Sequence, residues 1–176
     1  MKSLAIMSCV AAMVFASPSD AETPSIKPGL SGVSFLLGEW SSGKGKVAET
    51  GGTSTGSSSM ELAANGAVIL RRDRTNLFDA SGKPAGGFDQ IMMIYPEGGT
   101  LHADYSDGTH VIHYTSATVE PGHAVTFTST SQAGVPTFKL SYTLRAPKIL
   151  DVDFSMAPPG GTDFHPVATG SLKKED

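Results

Sequence analysis

The residues with most chemical potential lie between Leu101 and Tyr114, where His102, Asp104, Tyr105, His110, His113 and Tyr114 crowd together. Asp107-Gly108 reads as a two-residue turn between two strands, which pairs Tyr105 with His110, Ala103 with Ile112 and His102 with His113. Side chains alternate along a strand, so Leu101, Ala103, Tyr105, His110, Ile112 and Tyr114 share one face. That face is the more apolar and is expected to point inward. His110 with Tyr105 and Tyr114 then sets polar tips on an apolar wall, the arrangement that orients a small ligand. The plainer alternative is a core histidine satisfied by a tyrosine hydroxyl. On the opposite face His102 and His113 become neighbours beside Asp104, a set able to bind zinc, although a solvated surface pair is the simpler reading. His110 and His113 stand three apart, which on a strand sends them to opposite faces, so that spacing is no chelate.

Further candidates come from other stretches. Arg71 takes one face of its strand and Arg72 and Arg74 the other. An inward arginine could hold a ligand carboxylate through two parallel N–H bonds. Arg72 is the candidate taken, against the alternative of a solvated outer row. Met92 is expected on the cavity wall, with Met93 and Met156 also considered, because methionine adapts to varied apolar shapes. Phe138, Leu140, Tyr142 and Leu144 alternate with Lys139, Ser141, Thr143 and Arg145, and Leu150, Val152, Phe154 and Met156 repeat the pattern. Leu140, Tyr142 and Phe154 from these runs complete the expected ligand-binding wall. No serine sits on a strand-to-helix elbow, no glycine loop opens a helix and no paired carboxylates stand out. No catalytic residue and no metal ligand are assigned, and enzymatic use of His110 or Tyr105 as acid or base is the lesser expectation.

The elements that must position these residues are strands. Asn65-Gly66 is the strongest hairpin signal, joining a strand that ends near Leu62 to one running from Ala67 to Phe78. Phe88 to Tyr95 is dense in strand formers and stops at Pro96 and Gly98-Gly99. Glu39 to Lys46 reads as a strand that bends at Gly43 and Gly45. The Gly/Ser/Thr tract from Thr50 to Ser59 is either a linker or a strand of low hydrophobicity. About ten strands with turn signals every 8–12 residues argue for an all-β sandwich or barrel. Short serial turns favour an antiparallel up-and-down barrel, where closure removes exposed edges.

The chain has 176 residues, 39% apolar and only 17% charged, with a formal net charge of −4. That length suits one domain. The charge balance, with no basic cluster, argues against nucleic acid as a partner. Lys2, the apolar run from Leu4 to Phe15 and Val14-Phe15-Ala16 form a secretory signal pattern, with cleavage after Ala16 or Ala21. The run is too short for a membrane anchor, and Cys9 lies inside it. The expectation is a periplasmic or extracellular protein. Residues 1–21 are the signal and the start of a linker, 22–32 a flexible arm, 33–172 the barrel and 173–176 a charged tail.

Phe35-Leu36-Leu37-Gly38-Glu39-Trp40 holds the only tryptophan and reads as a short helical plug leading into the first strand, with Trp40 closing one end. Gly38-Glu39-Trp40 followed by serial antiparallel strands resembles the calycins, which include lipocalins and fatty-acid-binding proteins. The fuller run to Gly45 is most similar to nitrobindin-like barrels and to bacterial lipocalin-like domains of unknown function. The likeness covers roughly residues 33–172, though those families carry glycines two and four after the tryptophan, whereas here they fall at 43 and 45. It implies a ten-stranded barrel with an internal cavity. In nitrobindins it also implies haem held by a histidine near the C-terminus, for which His165 is the candidate here, although Pro166 and Gly170 depart from the pattern. The expected function is a carrier or sensor for a small apolar or amphipathic molecule. A haem protein or a packed envelope domain without ligand are the alternatives.

Overall fold

A computed structural model describes residues 24–176. The segment read as an export signal and the start of the arm lie outside the described residues. The rest is an all-β closed barrel of ten antiparallel strands with one short N-terminal 3-10 helix. The strands are β1 (Gly38–Val47), β2 (Gly52–Ala63), β3 (Val68–Phe78), β4 (Pro84–Glu97) and β5 (Thr100–Ser106). They continue as β6 (Val111–Glu120), β7 (Ala124–Ser129), β8 (Thr137–Ala146), β9 (Ile149–Ala157) and β10 (His165–Lys174). Each pairs with its sequence neighbour, and β10 closes on β1. Among the described residues no helix is long and apolar enough to cross a membrane.

The arm expected to be flexible over 22–32 is ordered for most of its length. The 3-10 helix runs over Pro28–Leu36, opened by a proline whose fixed φ suits a first turn. Three residues per turn place Leu30, Val33 and Leu36 on one side, and all three are fully buried. A period of three matches neither the helical nor the strand template, and the Pro, Gly and Ser content masked it. The amide of Lys27 donates to the Gly66 carbonyl at 2.9 Å, and that of Gly122 to the Gly32 carbonyl at 2.8 Å. The indole of Trp40 donates to the Leu36 carbonyl at 2.8 Å, locking the helix to the first strand.

The tract considered as a linker is β2, in unbroken register with β3 from Thr53 opposite Phe78 to Ala63 opposite Val68. Glycine is required within it. A Cβ on Gly56 would lie 2.1 Å from the Arg74 carbonyl oxygen, so any side chain would force β2 and β3 apart. The glycines at 43 and 45 flank a bulge in β1 between Ser42 and Gly45, which bends the strand around the barrel.

The turn at Asp107-Gly108 is longer than two residues. Asp107 accepts hydrogen bonds from the amides of Thr109 and His110 at 2.9 and 2.7 Å, so residues 107–110 form the loop. The register becomes Tyr105 opposite Ile112, Asp104 opposite His113 and Ala103 opposite Tyr114. The shift keeps the face assignment of Tyr105, Ile112 and Tyr114 but expels His110 from the strand. The side chain of His110 is 71% exposed.

Candidate functional site

Inward-facing residues fall into two tiers. Toward the helix end, Trp40, Met60, Ile69, Ile94, Leu101, Val125 and Leu150 pack on Leu30, Val33 and Leu36 with almost no exposure. Toward the other end, where β2, β4, β8 and β10 begin, inward Leu77, Tyr105, Phe138 and Phe154 are only half-buried. Their partial exposure puts this end of the barrel in contact with solvent.

Between the tiers lies a polar crossbar. The Nη1 group of Arg71 on β3 donates to the Tyr142 hydroxyl on β8 at 2.5 Å. In a ten-stranded ring these strands are five apart by either route, so the bond spans the barrel's diameter. The guanidinium also stands 5.7 Å from the Tyr142 ring centroid. Its Nε donates to Asp73 Oδ2 at 2.7 Å and Nη2 donates to the same oxygen. Nη2 reaches Gln90 Oε1 at 3.3 Å, and Nη1 reaches Met92 Sδ at 3.5 Å. Gln90 in turn donates to Thr75 Oγ1 at 2.8 Å. The side chains of Arg71 and Asp73 are 10% and 9% exposed. Asp73 Oδ1 and its cross-strand neighbour Ser58 Oγ are buried with no hydrogen-bond partner among the described residues.

Electrostatics hold this cluster in fixed protonation states. Burial opposes the Arg71 charge, but the Asp73 carboxylate and Tyr142 outweigh it and raise its pKa above the ordinary value. Burial pushes the Tyr142 hydroxyl up to about 12, against the pull of Arg71. Burial likewise raises Tyr105 and Tyr114, with Asp107 adding to the first and Tyr142 to the second. All three phenols therefore stay protonated at neutral pH and can donate hydrogen bonds.

The sequence-derived candidates divide accordingly. Leu140, Phe154 and Tyr105 lie on the inner wall above the crossbar, with Phe138 stacked on Phe154 at 5.8 Å. Tyr142 and Met92 belong to the crossbar, and Tyr114 is buried against Phe127. Trp40 lies at the closed end. Arg72 and His110 are corrections: neither lines the interior. Arg72 projects outward, half exposed, and pairs with Glu61, because the inward phase of β3 takes the odd residues Ile69, Arg71 and Asp73. Arg71, Asp73 and Gln90 were missed as a site. Only strict alternation from Ile69 would have revealed them, since a polar inward face gives no apolar signal.

The proposed zinc set does not assemble either. His113 Nδ1 lies 2.6 Å from Asp104 Oδ1, while His102 stacks on Tyr95. Among the described residues no three potential ligands converge on a metal position. Two concavities on the outer wall, one edged by Glu39, Arg72, Arg74 and Asp89, the other by Arg145 and Asp151, are grooves between charged side chains.

His165 opens β10 at the rim of the open end. A register shift between Pro166 and Ala168 reverses the strand's phase, so His165 pairs with Met156, whose neighbour on β8 is Phe138. Without that bulge His165 would share the outward phase of Thr169 and Ser171. The residues present therefore fit a haem at the mouth: His165 would supply the axial nitrogen, and Phe138, Phe154 and Met156 the apolar surface. When bound, that group supplies iron for ligand or redox chemistry.

No family model and no curated protein matches this chain. Among solved structures it is similar to Rv2717c from M. tuberculosis, at 13% identity over 86% of this chain and all of that one, with a TM-score of 0.60. At that identity the likeness shows the fold alone, a closed ten-stranded antiparallel barrel. The structure of EF1p2_mFAP2b bound to DFHBI (11% identity, 84% of this chain and 99% of that chain, TM-score 0.44) overlaps too loosely to carry an argument. So does a de novo fluorescence-activating β-barrel (10% identity, 85% and 100%, TM-score 0.41).

Proposed function

We propose that this calycin-like barrel is an exported carrier or sensor that holds a small amphipathic molecule in its open half. One observation carries the reading. Beyond the Arg71–Tyr142 crossbar the inward Tyr105, Phe138 and Phe154 stay only half-buried beside Ile112 and Leu140, and the space they face would be the ligand chamber. Apolar walls with a few fixed polar groups at one end suit an amphipathic molecule. A packed envelope domain has no use for half-buried inward aromatics. Export rests on the Lys2, apolar-run and Val14-Phe15-Ala16 pattern, and N-terminal sequencing from the producing cell tests it: a mature start near Ser17 or Glu22 supports it, and an intact Met1 contradicts it.

The binding test is titration of delipidated protein with the neutral fluorophore N-phenylnaphthylamine. One saturable site is expected, and Leu140→Trp, placed on the wall above the crossbar, should block it while the barrel still folds. A parent protein that binds no probe would leave the packed domain as the better account.

Haem is the second reading, favoured by the β10 bulge that sets His165 in register with Met156. Added haem should then give a histidine-ligated spectrum in the parent. His165→Ala should abolish that spectrum and leave probe binding intact. Identical spectra for parent and variant would remove His165 from the account.

A further inference from the structure

Resting on the carrier reading, we propose that the chamber floor selects an uncharged ligand whose buried end is a hydrogen-bond acceptor, taken by the hydroxyls of Tyr142 and Tyr114, and rejects carboxylates. The argument is a count of donors. A guanidinium has five N–H groups. In Arg71 one on Nε and one on Nη2 go to Asp73, the other on Nη2 to Gln90, and the two on Nη1 to Tyr142 and Met92. None remains for a ligand. The Asp73 carboxylate cancels the Arg71 charge, so a second carboxylate would enter a low-dielectric site with no free cation, at the full cost of desolvation.

The tyrosines are what remains. Tyr142 accepts from Arg71, which leaves its own O–H free to donate toward the chamber. A donor polarised by a charged partner is strengthened in turn. Tyr114 is 2% exposed as a residue. Its hydroxyl makes no hydrogen bond among the described residues, yet it is not one of the fully buried unpartnered atoms there, which are Ser58 Oγ and Asp73 Oδ1, so it keeps contact with accessible space. Hydroxyl donors set on an apolar wall, with no free cation beside them, favour an acceptor without charge, such as a ketone, ester or amide oxygen.

The experiment displaces N-phenylnaphthylamine from the full chain at neutral pH with three molecules of matched length: methyl octyl ketone, decanoate and decylamine. The ketone is expected to compete at least about tenfold more strongly than decanoate, which corresponds to about 1.4 kcal/mol. Tyr114→Phe and Tyr142→Phe should each remove most of that advantage while the probe still binds. Decanoate binding as tightly as the ketone would overturn the proposal and free Arg71 as an anion clamp. Decylamine binding tightest would overturn it in favour of Asp73 Oδ1. A probe that binds with no head-group preference defeats this inference alone, whereas a parent that binds no probe defeats the carrier reading beneath it. The head-group series on the parent protein stands even if a tyrosine variant folds poorly.

Discussion

Replacing Arg71 with methionine tests the crossbar through stability. The Arg71 and Asp73 side chains are 10% and 9% exposed, so removing the guanidinium strands a carboxylate in the barrel's interior. Breaking a buried pair from one side typically costs about 3–5 kcal/mol. The bond to Tyr142 is lost in the same step, which puts the expectation in the upper part of that range. A domain's whole stability is only about 5–15 kcal/mol, so the variant should fold but unfold at much lower denaturant. Replacing both charges, Arg71→Met with Asp73→Leu, leaves no stranded ion, and apolar replacement of a buried pair is often neutral or better. The double variant should regain most of the loss, so the two substitutions should be strongly non-additive. Urea unfolding followed by Trp40 fluorescence reads this directly, because that residue is the sole tryptophan and is buried against the helix. A loss below about 1 kcal/mol for Arg71→Met, or additive losses in the double variant, would refute a desolvated floor, since exposed pairs contribute that little.

Three further outcomes follow from other parts of the barrel. Trp40→Ala removes a side chain 1% exposed and its bond to Leu36, and should cost about 3–5 kcal/mol by denaturation; a cost under about 1 kcal/mol would make the residue peripheral. Gly56→Ala should destabilise by about 1–3 kcal/mol, because the new methyl meets the Arg74 carbonyl, and an unchanged midpoint would contradict that close approach. Burial raises the Asp107 carboxyl, but the His110 and Thr109 amides and the His110 imidazole outweigh it and hold it down at about 2. A carboxyl depressed below its unfolded value of about 3.9 contributes stability that is complete above that pH and lost as the pH falls toward about 2. Denaturation measured across that window should show a steeper loss for the parent than for Asp107→Ala, and equal slopes would mean the turn's bonds do not form.

Much of the barrel was legible because apolar alternation was strong where it mattered. Phe138, Leu140, Tyr142 and Leu144 against Leu150, Val152 and Phe154 gave two inner walls, and both pair in that phase. Trp40 after Gly38 marked the closed end. Arg71 was not legible as the inward arginine, because alternation sorts residues into two faces without saying which is inside when both are polar. The Asp107-Gly108 turn was sized by its glycine, whereas the Asp107 side chain captured two more residues through their amides. The short helical plug before Trp40 was legible, but its start at Pro28 was not, because its Leu30–Val33–Leu36 period is three. The β10 bulge that sets His165, an exposed residue, in register with Met156 leaves no sequence signature beyond Pro166.

The central claim is that a ligand sits inside the open half, above the Arg71–Tyr142 floor. Nuclear magnetic resonance titration of delipidated protein with N-phenylnaphthylamine locates the site directly. The account predicts saturable shifts confined to Ile112, Phe138, Leu140, Phe154 and the Tyr142 ring, with Trp40 and Leu30 unmoved. Shifts confined instead to the exposed outer side chains of Ile91, Met93 and Val111, or no saturable shifts at all, would contradict it.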